Sequence, residues 1–445
     1  MDEQQGLAKP VKKRVALTTL GCKVNQYESE ALQSLFQQKG YQVVNFTEPA
    51  EVYVINTCTV THLGNRKSRQ IIRRAVNANP NAVVAVTGCY AQTSPEEVLA
   101  IPGVNLVIGT SERAKIVELV EAAGQSGEPI NAVKNIMDAG EFEEISILTS
   151  EHRTRAFIKI QEGCNNYCSY CIIPFARGPQ RSRKPEKVLE EAERFCAAGF
   201  QEIVLTGICI GTYGRDLDQA ISLAGLVQKI TAIPGLSRVR LGSVEPTDIT
   251  PELVEVVGEN PRVCKHLHIP LQSGNDVTLK EMNRRYNTLE YAKLLGYLRY
   301  KIPYLAVTTD IIVGYPGEKH EYFRHTLEFV EEMEFADLHV FKYSTRQGTT
   351  ASKLADNVPP DIKEDRSRQL ILLGKSMARD FANSFIGQTM EVIVEQRVAA
   401  NNLYEGLTCN YLRVMFTAGE EDRGRLLKVV LKEFRQEALV GQVIR

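Results

Sequence analysis

Short β-branched, apolar runs alternate with helix-patterned stretches in two successive series along this 445-residue chain, and that alternation restricts the fold more than any other feature. Strands joined by helices pair in parallel, because a parallel neighbour needs a crossover connection long enough to hold a helix. In the first series Arg14–Leu20, Val52–Ile55, Ala82–Val86 and Asn105–Ile108 read as strands. Tyr27, Ala31, Leu32, Leu35 and Phe36 share one face of a helix that stops at Gly40. The expectation is an open parallel α/β domain over residues 12–125, followed by a weakly periodic linker over 126–150. The second series comprises Ala156–Ile160, a helix near Pro185–Ala198, Glu202–Leu205, Arg238–Leu241, Lys265–Ile269, Leu305–Ile312 and Asp337–Phe341. Before the last strand, Phe323, Leu327 and Val330 fall on one helical face. About six βα units predict an incomplete (β/α) barrel over 151–385, with its chemistry at the C-terminal strand ends. Beyond Phe385, Met390–Val394, Leu412–Phe416 and Arg425–Val430 are strand-like and separated by glycine-containing turns, which predicts a small β-barrel over 386–445.

Lys and Arg number 53 and Asp and Glu 54, so net charge alone points to no class of partner. No run has the length of a spanning helix, and Met1–Lys13 lacks the apolar stretch of a signal peptide. A soluble, cytoplasmic protein without membrane partners is expected. Its ten cysteines therefore point to metal or redox chemistry rather than to disulfides.

Cys164, Cys168 and Cys171 have C-x-x-x-C-x-x-C spacing directly after a predicted strand. Three thiolates on one short loop can hold three irons of a [4Fe–4S] cube and leave the fourth iron without a protein ligand. An open iron can chelate the amino and carboxylate groups of S-adenosylmethionine, and an electron from the cluster then releases an adenosyl radical. The competing reading is a zinc loop; zinc prefers four protein ligands, and no further Cys or His within the loop supplies one.

Cys22, Cys58 and Cys89 lie far apart in sequence, each just after a predicted strand of the first series. Adjacent parallel strands are about 4.8 Å apart, so such ends can converge on one metal centre. Gly21, Thr57 and Gly88 beside them leave room for an inorganic cluster. Burial in a core is the common fate of a single cysteine; three at equivalent corners favour a second cluster.

These residues carry a resemblance. The three-cysteine N-terminal segment, the C-x-x-x-C-x-x-C barrel and the β-rich tail are similar to the radical S-adenosylmethionine methylthiotransferase family, over roughly Arg14 to Arg445. Leu20-Gly21-Cys22-Lys23-Val24-Asn25-Gln26-Tyr27-Glu28 resembles the subgroup acting on threonylcarbamoyladenosine in tRNA, and Pro270–Gly274 and Gly314–Glu318 resemble family segments near the S-adenosylmethionine site. The resemblance implies a tail barrel of the TRAM kind and methylthiolation of C2 of N6-threonylcarbamoyladenosine at position 37, 3′ to the anticodon. It also implies two [4Fe–4S] clusters, S-adenosylmethionine as both radical source and methyl donor, and an electron donor of flavodoxin or ferredoxin type. Cys164, Cys168 and Cys171 match the radical cluster, and Cys22, Cys58 and Cys89 the auxiliary one. Tyr170 matches the aromatic residue at the adenine, with Thr206, Glu245, Gln272 and Ser273 as further cofactor contacts at strand ends. In Thr206-Gly207-Ile208-Cys209 the family leads one to expect His where Cys209 stands, and a small buried residue is the preferred reading there. Cys196, Cys264 and Cys409 read as packing residues. Alternatives are isopentenyladenosine in tRNA or a ribosomal protein as substrate, or a non-catalytic metal-bearing RNA-binding protein.

Two basic segments contain no acidic residue: Val52–Pro95 with Arg66, Lys67, Arg69, Arg73 and Arg74, and Gly163–Pro185 with Arg177, Arg181, Arg183 and Lys184. Solvated faces usually mix signs, so both segments are expected to contact tRNA phosphates at the anticodon loop. Residues 386–445 hold 8 basic and 8 acidic side chains, so an RNA role for the tail rests on the resemblance. Gly374-Lys375-Ser376 lacks the earlier glycine of a phosphate loop. His266 and His268 share a strand face; a metal pair is conceivable, and satisfied core or pocket histidines are preferred.

Overall fold

A computed structural model describes residues 12–60, 62–147, 154–219, 221–399 and 402–444. The chain divides into two compact units, residues 1–149 with 175–178, and residues 150–174 with 179–445.

In the first unit, β1 (Arg14–Thr19), β2 (Gln42–Val44), β3 (Val52–Thr57), β4 (Val83–Gly88), β5 (Leu106–Val107) and β6 (Ile130–Asn131) form one parallel sheet in the order β2-β1-β3-β4-β5-β6. Its central strands are buried on both faces; Val52 to Thr57 are all buried, as expected where helices cover both sides. Helix α1 (Lys23–Gln38) buries Tyr27, Ala31, Leu32 and Phe36. Helix α2 (His62–Ala78) places Ile72 and Ala75 in a core with Tyr53, Ile55, Val84 and Val86.

The linker expected over 126–150 is corrected for its described part, residues 126–147. Ile130 pairs with Leu106 as the sheet's last strand, Glu143 binds Arg113 and the Ala114 N–H, and Ile136, Ile145 and Ile147 are buried. A two-residue strand is too short for its alternation to register in the sequence.

The second unit contains six parallel strands: β7 (Ala156–Lys159), then, after the short antiparallel pair β8 (Gln161–Glu162) and β9 (Arg181–Ser182), β10 (Glu202–Thr206), β11 (Arg238–Leu241), β12 (His266–His268), β13 (Ala306–Val313) and β14 (Asp337–Lys342). Two three-stranded sheets, β7-β10-β11 and β12-β13-β14, meet through bridges Val239–Val263 and Ser243–His268. No pairing joins β7 to β14 among the described residues, so the barrel is incomplete.

The helix Pro360–Asn383 then leads into β15 (Thr389–Ala399), β16 (Leu403–Thr408), β17 (Arg413–Thr417), β18 (Leu426–Arg435) and β19 (Ala438–Val443), a closed five-stranded barrel. Only three of these strands are evident in the sequence. Val392, Val414, Phe416, Val429 and Leu439 fill its core. No helix among the described residues is long and apolar enough to cross a membrane.

Candidate metal centres and active site

The loop carrying Cys164, Cys168 and Cys171 follows β8 and is held by its own backbone. Gly163 and Tyr167 adopt left-handed conformations, with φ of 73° and 49°, and the Cys171 N–H donates to the Cys168 carbonyl at 2.9 Å. The end of the helix Asp276–Glu281 pins the loop: the Ser169 N–H donates to the Met282 carbonyl at 3.0 Å, the Ser169 hydroxyl to the Glu281 carbonyl at 2.8 Å, and the Asn283 amide to the Tyr167 carbonyl at 3.1 Å. Burial pushes the Cys171 thiol up to about 12, with Cys168 and Cys164 adding to it, and burial also raises the Cys168 thiol. Such thiols stay protonated unless a cation compensates, and a bound metal supplies that compensation. Arg284 is a local cation at this loop: it donates to the Cys168 sulfur at 3.2 Å and pairs with Glu245. The donor set therefore fits a cluster bound by three thiolates.

The other three thiols converge through strand register. Thr57 is paired with Gly88 across β3 and β4, so Cys58 and Cys89 leave adjacent strand ends. The Leu20 N–H donates to the Asn56 carbonyl at 2.8 Å, carrying the β1–β3 pairing on toward Gly21 and Cys22. Asn25 ties the corners together by donating to the Leu20 carbonyl at 2.7 Å and the Thr57 carbonyl at 3.0 Å. A Cβ on Gly21 would lie 2.9 Å from the Cys58 Cβ, and Gly21 has a φ of 105°, so only glycine leaves the space that Cys58 occupies. Cys22 is exposed, Cys58 half-buried and Cys89 buried. Burial pushes the Cys89 thiol up to about 12; Arg177 opposes this, while Cys22 and Cys58 add to it. These thiols share one electrostatic neighbourhood, and they too fit a metal cluster.

Gly88 has a φ of 96°, and a Cβ there would meet Asn56 Oδ1 at 2.4 Å and the Thr57 carbonyl oxygen at 2.5 Å. Gly88→Ala is expected to destabilise the protein by about 2–4 kcal/mol through left-handed strain and overpacking. A calorimetric melt checks this, and the iron content of the reconstituted variant is expected to fall with it.

A family model described as the radical SAM superfamily matches residues 158–330, and one described as uncharacterized protein family UPF0004 matches residues 14–109. The threonylcarbamoyladenosine tRNA methylthiotransferase MtaB of Bacillus subtilis (strain 168) is 45% identical over 97% of this chain and 96% of its own length. The chain belongs to the radical S-adenosylmethionine methylthiotransferase family. MtaB of Aquifex aeolicus (strain VF5) is 36% identical over 94% of this chain and 100% of its own. Among solved structures, the radical S-adenosylmethionine methyltransferase TsrM from Kitasatospora setae shares the fold, with a TM-score of 0.56 at 15% identity over 77% of each chain. Membership in the radical S-adenosylmethionine superfamily brings with it that cofactor and one [4Fe–4S] cluster.

Within this methylthiotransferase, the expected cofactor contacts part ways. Tyr170 is half-buried against Met282, Tyr315 and Tyr343. Thr206 is buried at the end of β10. Burial raises the Glu245 carboxyl, against the pull of Arg284. Gln272 adopts a φ of 69°, and its backbone bridges the Asp310 carbonyl and the Ile312 N–H. Ser273 is corrected as a cofactor contact: it is 1% exposed, and its hydroxyl bonds Thr326 at 3.2 Å and accepts from the Asn275 N–H, which holds the turn against the helix His320–Glu332.

The two basic segments also separate. In α2, Arg66, Lys67, Arg73 and Arg74 are exposed. Arg69 is half-buried and donates to the Tyr90 hydroxyl at 3.1 Å. Arg177, Arg181 and Arg183 are corrected as phosphate contacts, because all three are buried. Arg177 pairs with Glu28, which also binds Arg113 at 2.6 Å, and donates to the Cys89 sulfur at 3.1 Å. Arg181 donates to the Pro179 carbonyl at 3.0 Å, and Arg183 pairs with Glu191. An acid-free stretch of sequence here finds its acids elsewhere in the chain.

Three residues beside the thiols are not evident from motif spacing. Arg177 and Arg284 each donate to a cysteine sulfur. Cys209 is an electrostatic neighbour of Cys164; its sulfur accepts from the Asn166 amide at 3.9 Å and donates to Asp248 Oδ2 at 3.7 Å. It is buried as expected, and it also borders the cluster loop rather than serving only as packing. A cavity of about 330 Å³ opens there, lined by Asn165, Asn166, Gln180, Cys209 and Arg215, within the size range of small-ligand sites.

Proposed function

We propose that this chain replaces the C2–H of N6-threonylcarbamoyladenosine at position 37 of tRNA with S–CH3. The observation that carries the reading is a three-thiol loop on an incomplete barrel and a second three-thiol corner in the same chain, in a sequence 45% identical along nearly its full length to an enzyme named for that nucleoside. An aromatic C–H has no useful acidity, so its activation calls for a radical.

Cys164, Cys168 and Cys171 would hold the radical cluster, and Cys22, Cys58 and Cys89 a second [4Fe–4S] cluster. When bound, S-adenosylmethionine and its cluster supply the adenosyl radical and the methyl group. Arg284 stabilises a thiolate at Cys168 and fixes the Glu245 carboxylate beside it. Arg177 does the same for Cys89 while neutralising buried Glu28. The exposed cations of α2 offer phosphate contacts, and the target base must leave its stack to react. The closed C-terminal barrel reads as a TRAM-like RNA module. A flavodoxin- or ferredoxin-type donor supplies electrons, in the cytoplasm.

Nucleoside mass spectrometry of tRNA from cells lacking and regaining the gene tests the reading. The methylthio form of threonylcarbamoyladenosine is expected only with the gene present. Its absence, with the methylthio group on isopentenyladenosine or a ribosomal protein instead, overturns the substrate assignment. The triple variant Arg66→Ala, Arg73→Ala, Arg74→Ala is expected to weaken tRNA binding. It should also flatten the plot of log affinity against log salt by about 2–3, since each lost phosphate contact removes ~0.7–0.9. Filter binding across a salt series measures that slope.

A further inference from the structure

β12, β13 and β14 bring together a second ligand set that contains no sulfur. His268 is paired with Thr308, and Asp310 with His339, in the parallel register of the three strands. His268 Nε2 lies 3.3 Å from Asp310 Oδ2, and His339 Nδ1 lies 3.2 Å from Asp310 Oδ1. One ligand atom from each of the three residues falls within 4.8 Å of the other two. The imidazole centroids are 5.5 Å apart, with the rings tilted by 31°.

A carboxylate hydrogen-bonded between two imidazoles is the simplest description of this contact. Several features go further. Metal–ligand bonds of about 2.0–2.1 Å in a tetrahedron put neighbouring ligand atoms roughly 3.4 Å apart; each imidazole already lies at about that distance from one of the two Asp310 oxygens, and a small rotation of the carboxylate would bring one oxygen toward both. The opposite ring nitrogen of His268, Nδ1, is bonded to the Thr308 hydroxyl at 2.9 Å, the outer-shell contact that orients a ligating imidazole and fixes which nitrogen faces the ion. Thr308 is itself bonded to His266 Nε2 at 3.1 Å, so the support extends a residue deeper. Burial pushes the Asp310 carboxyl up, but hydrogen bonds and charge from His268 and His339 outweigh it and hold the carboxyl at about 2. All three ligands stand on strands, so the set is rigid, and His339 is 54% exposed, which leaves access for an ion.

We propose that His268, Asp310 and His339 form a mononuclear site for a first-row divalent cation. Two imidazoles and one carboxylate with open coordination positions match the donor set of catalytic zinc and of non-haem ferrous sites. Thiolate ligands select clusters and soft metals, so this site differs in chemistry from both cysteine sets. The assignment stands apart from the tRNA reaction, because it concerns occupancy alone.

Full-length protein carrying its reconstituted clusters would be dialysed anaerobically against buffered Zn²⁺, and bound zinc and iron counted by mass spectrometry. The parent chain is expected to retain one more zinc per chain than His339→Gln or Asp310→Asn, with unchanged iron content and melting temperature. Affinity for that zinc should fall at least tenfold in each variant. Zinc held by stray thiols is the same in parent and variants and cancels. In crystals, anomalous scattering at the zinc edge is expected to place a peak about 2.0–2.2 Å from the three ligand atoms. Equal zinc affinity in all three proteins, or a peak only at the cysteines, overturns the site. His339 is half-exposed, so its variant folds and keeps the comparison decisive if Asp310→Asn does not.

Discussion

Cys168→Ala is expected to abolish methylthiolation while leaving a folded chain. Removing one of three thiolates from a loop that has no fourth Cys or His leaves too few ligands for the cluster. Iron after anaerobic reconstitution should drop from about eight to about four per chain. No 5′-deoxyadenosine should form from S-adenosylmethionine in the reduced protein. Folding survives because Cys168 is only half-buried and its partner Arg284 keeps Glu245 and the face of Tyr286, 5.0 Å away. The measurements are an iron assay, chromatography of the nucleoside products and a thermal melt on the same preparation.

Cys58→Ala gives the contrasting outcome. It should lose a similar share of iron and all transfer of the methylthio group, yet still cleave S-adenosylmethionine, because the barrel loop is untouched. If both variants cleave the cofactor equally, the division of labour between the two thiol sets is wrong. If neither loses iron, the cysteines are not ligands at all.

What the sequence showed of this arrangement follows the range of the interactions. The thiol corners were legible because each is local: C-x-x-x-C-x-x-C sits on one loop, and Cys58 and Cys89 each follow a β-branched run whose pairing, Thr57 with Gly88, obeys strand register. Charge along a chain says nothing about charge across the fold, so the acid-free segment at 163–185 does not reveal that Arg177, Arg181 and Arg183 are buried. Arg177 finds Glu28 at a separation of 149 residues. The two-residue strand β6 is invisible in the sequence because neither a period of 2 nor of 3.6 can show in so short a run. Cys209 reads as packing in the sequence because its neighbour Cys164 comes from a different strand end. His268 shares a strand face with His266, but its charged partner and its ring neighbour stand on β13 and β14. The loop spacing and the equivalent strand ends are thus open to sequence reading, whereas ion pairs between distant segments such as Arg177 with Glu28 are not.

The most buried charge in the second unit makes the last prediction. Glu202, on β10, is fully buried and receives Arg238 Nε at 2.5 Å and Arg240 Nε at 2.8 Å, with Arg155 at 3.7 Å. The two β11 arginines turn their remaining donors to the C-terminal barrel: Arg238 to the Leu407 carbonyl at 2.8 Å, and Arg240 to the carbonyls of Thr408 at 2.9 Å and Cys409 at 3.0 Å. Arg240 also lies over the Tyr411 ring, which stacks on His266 at 4.5 Å. Glu202→Ala would leave buried guanidinium groups uncompensated, a loss of about 3–5 kcal/mol. The barrel contact through Leu407 to Tyr411 should loosen first, seen as faster amide exchange in β16. Burial pushes the Glu202 carboxyl up, but the three arginines outweigh it and hold the folded value at about 2, below that of an unfolded glutamate near ~4.3. The unfolded chain therefore binds the proton first as pH falls. Stability from this group is full above about pH 4.3 and drains away as pH drops toward about 2. Denaturant melts across that interval should show a falling stability in the parent chain. Glu202→Gln should start lower and lack this contribution to the slope; an identical slope in both proteins would mean that the glutamate is not held ionised by its arginines.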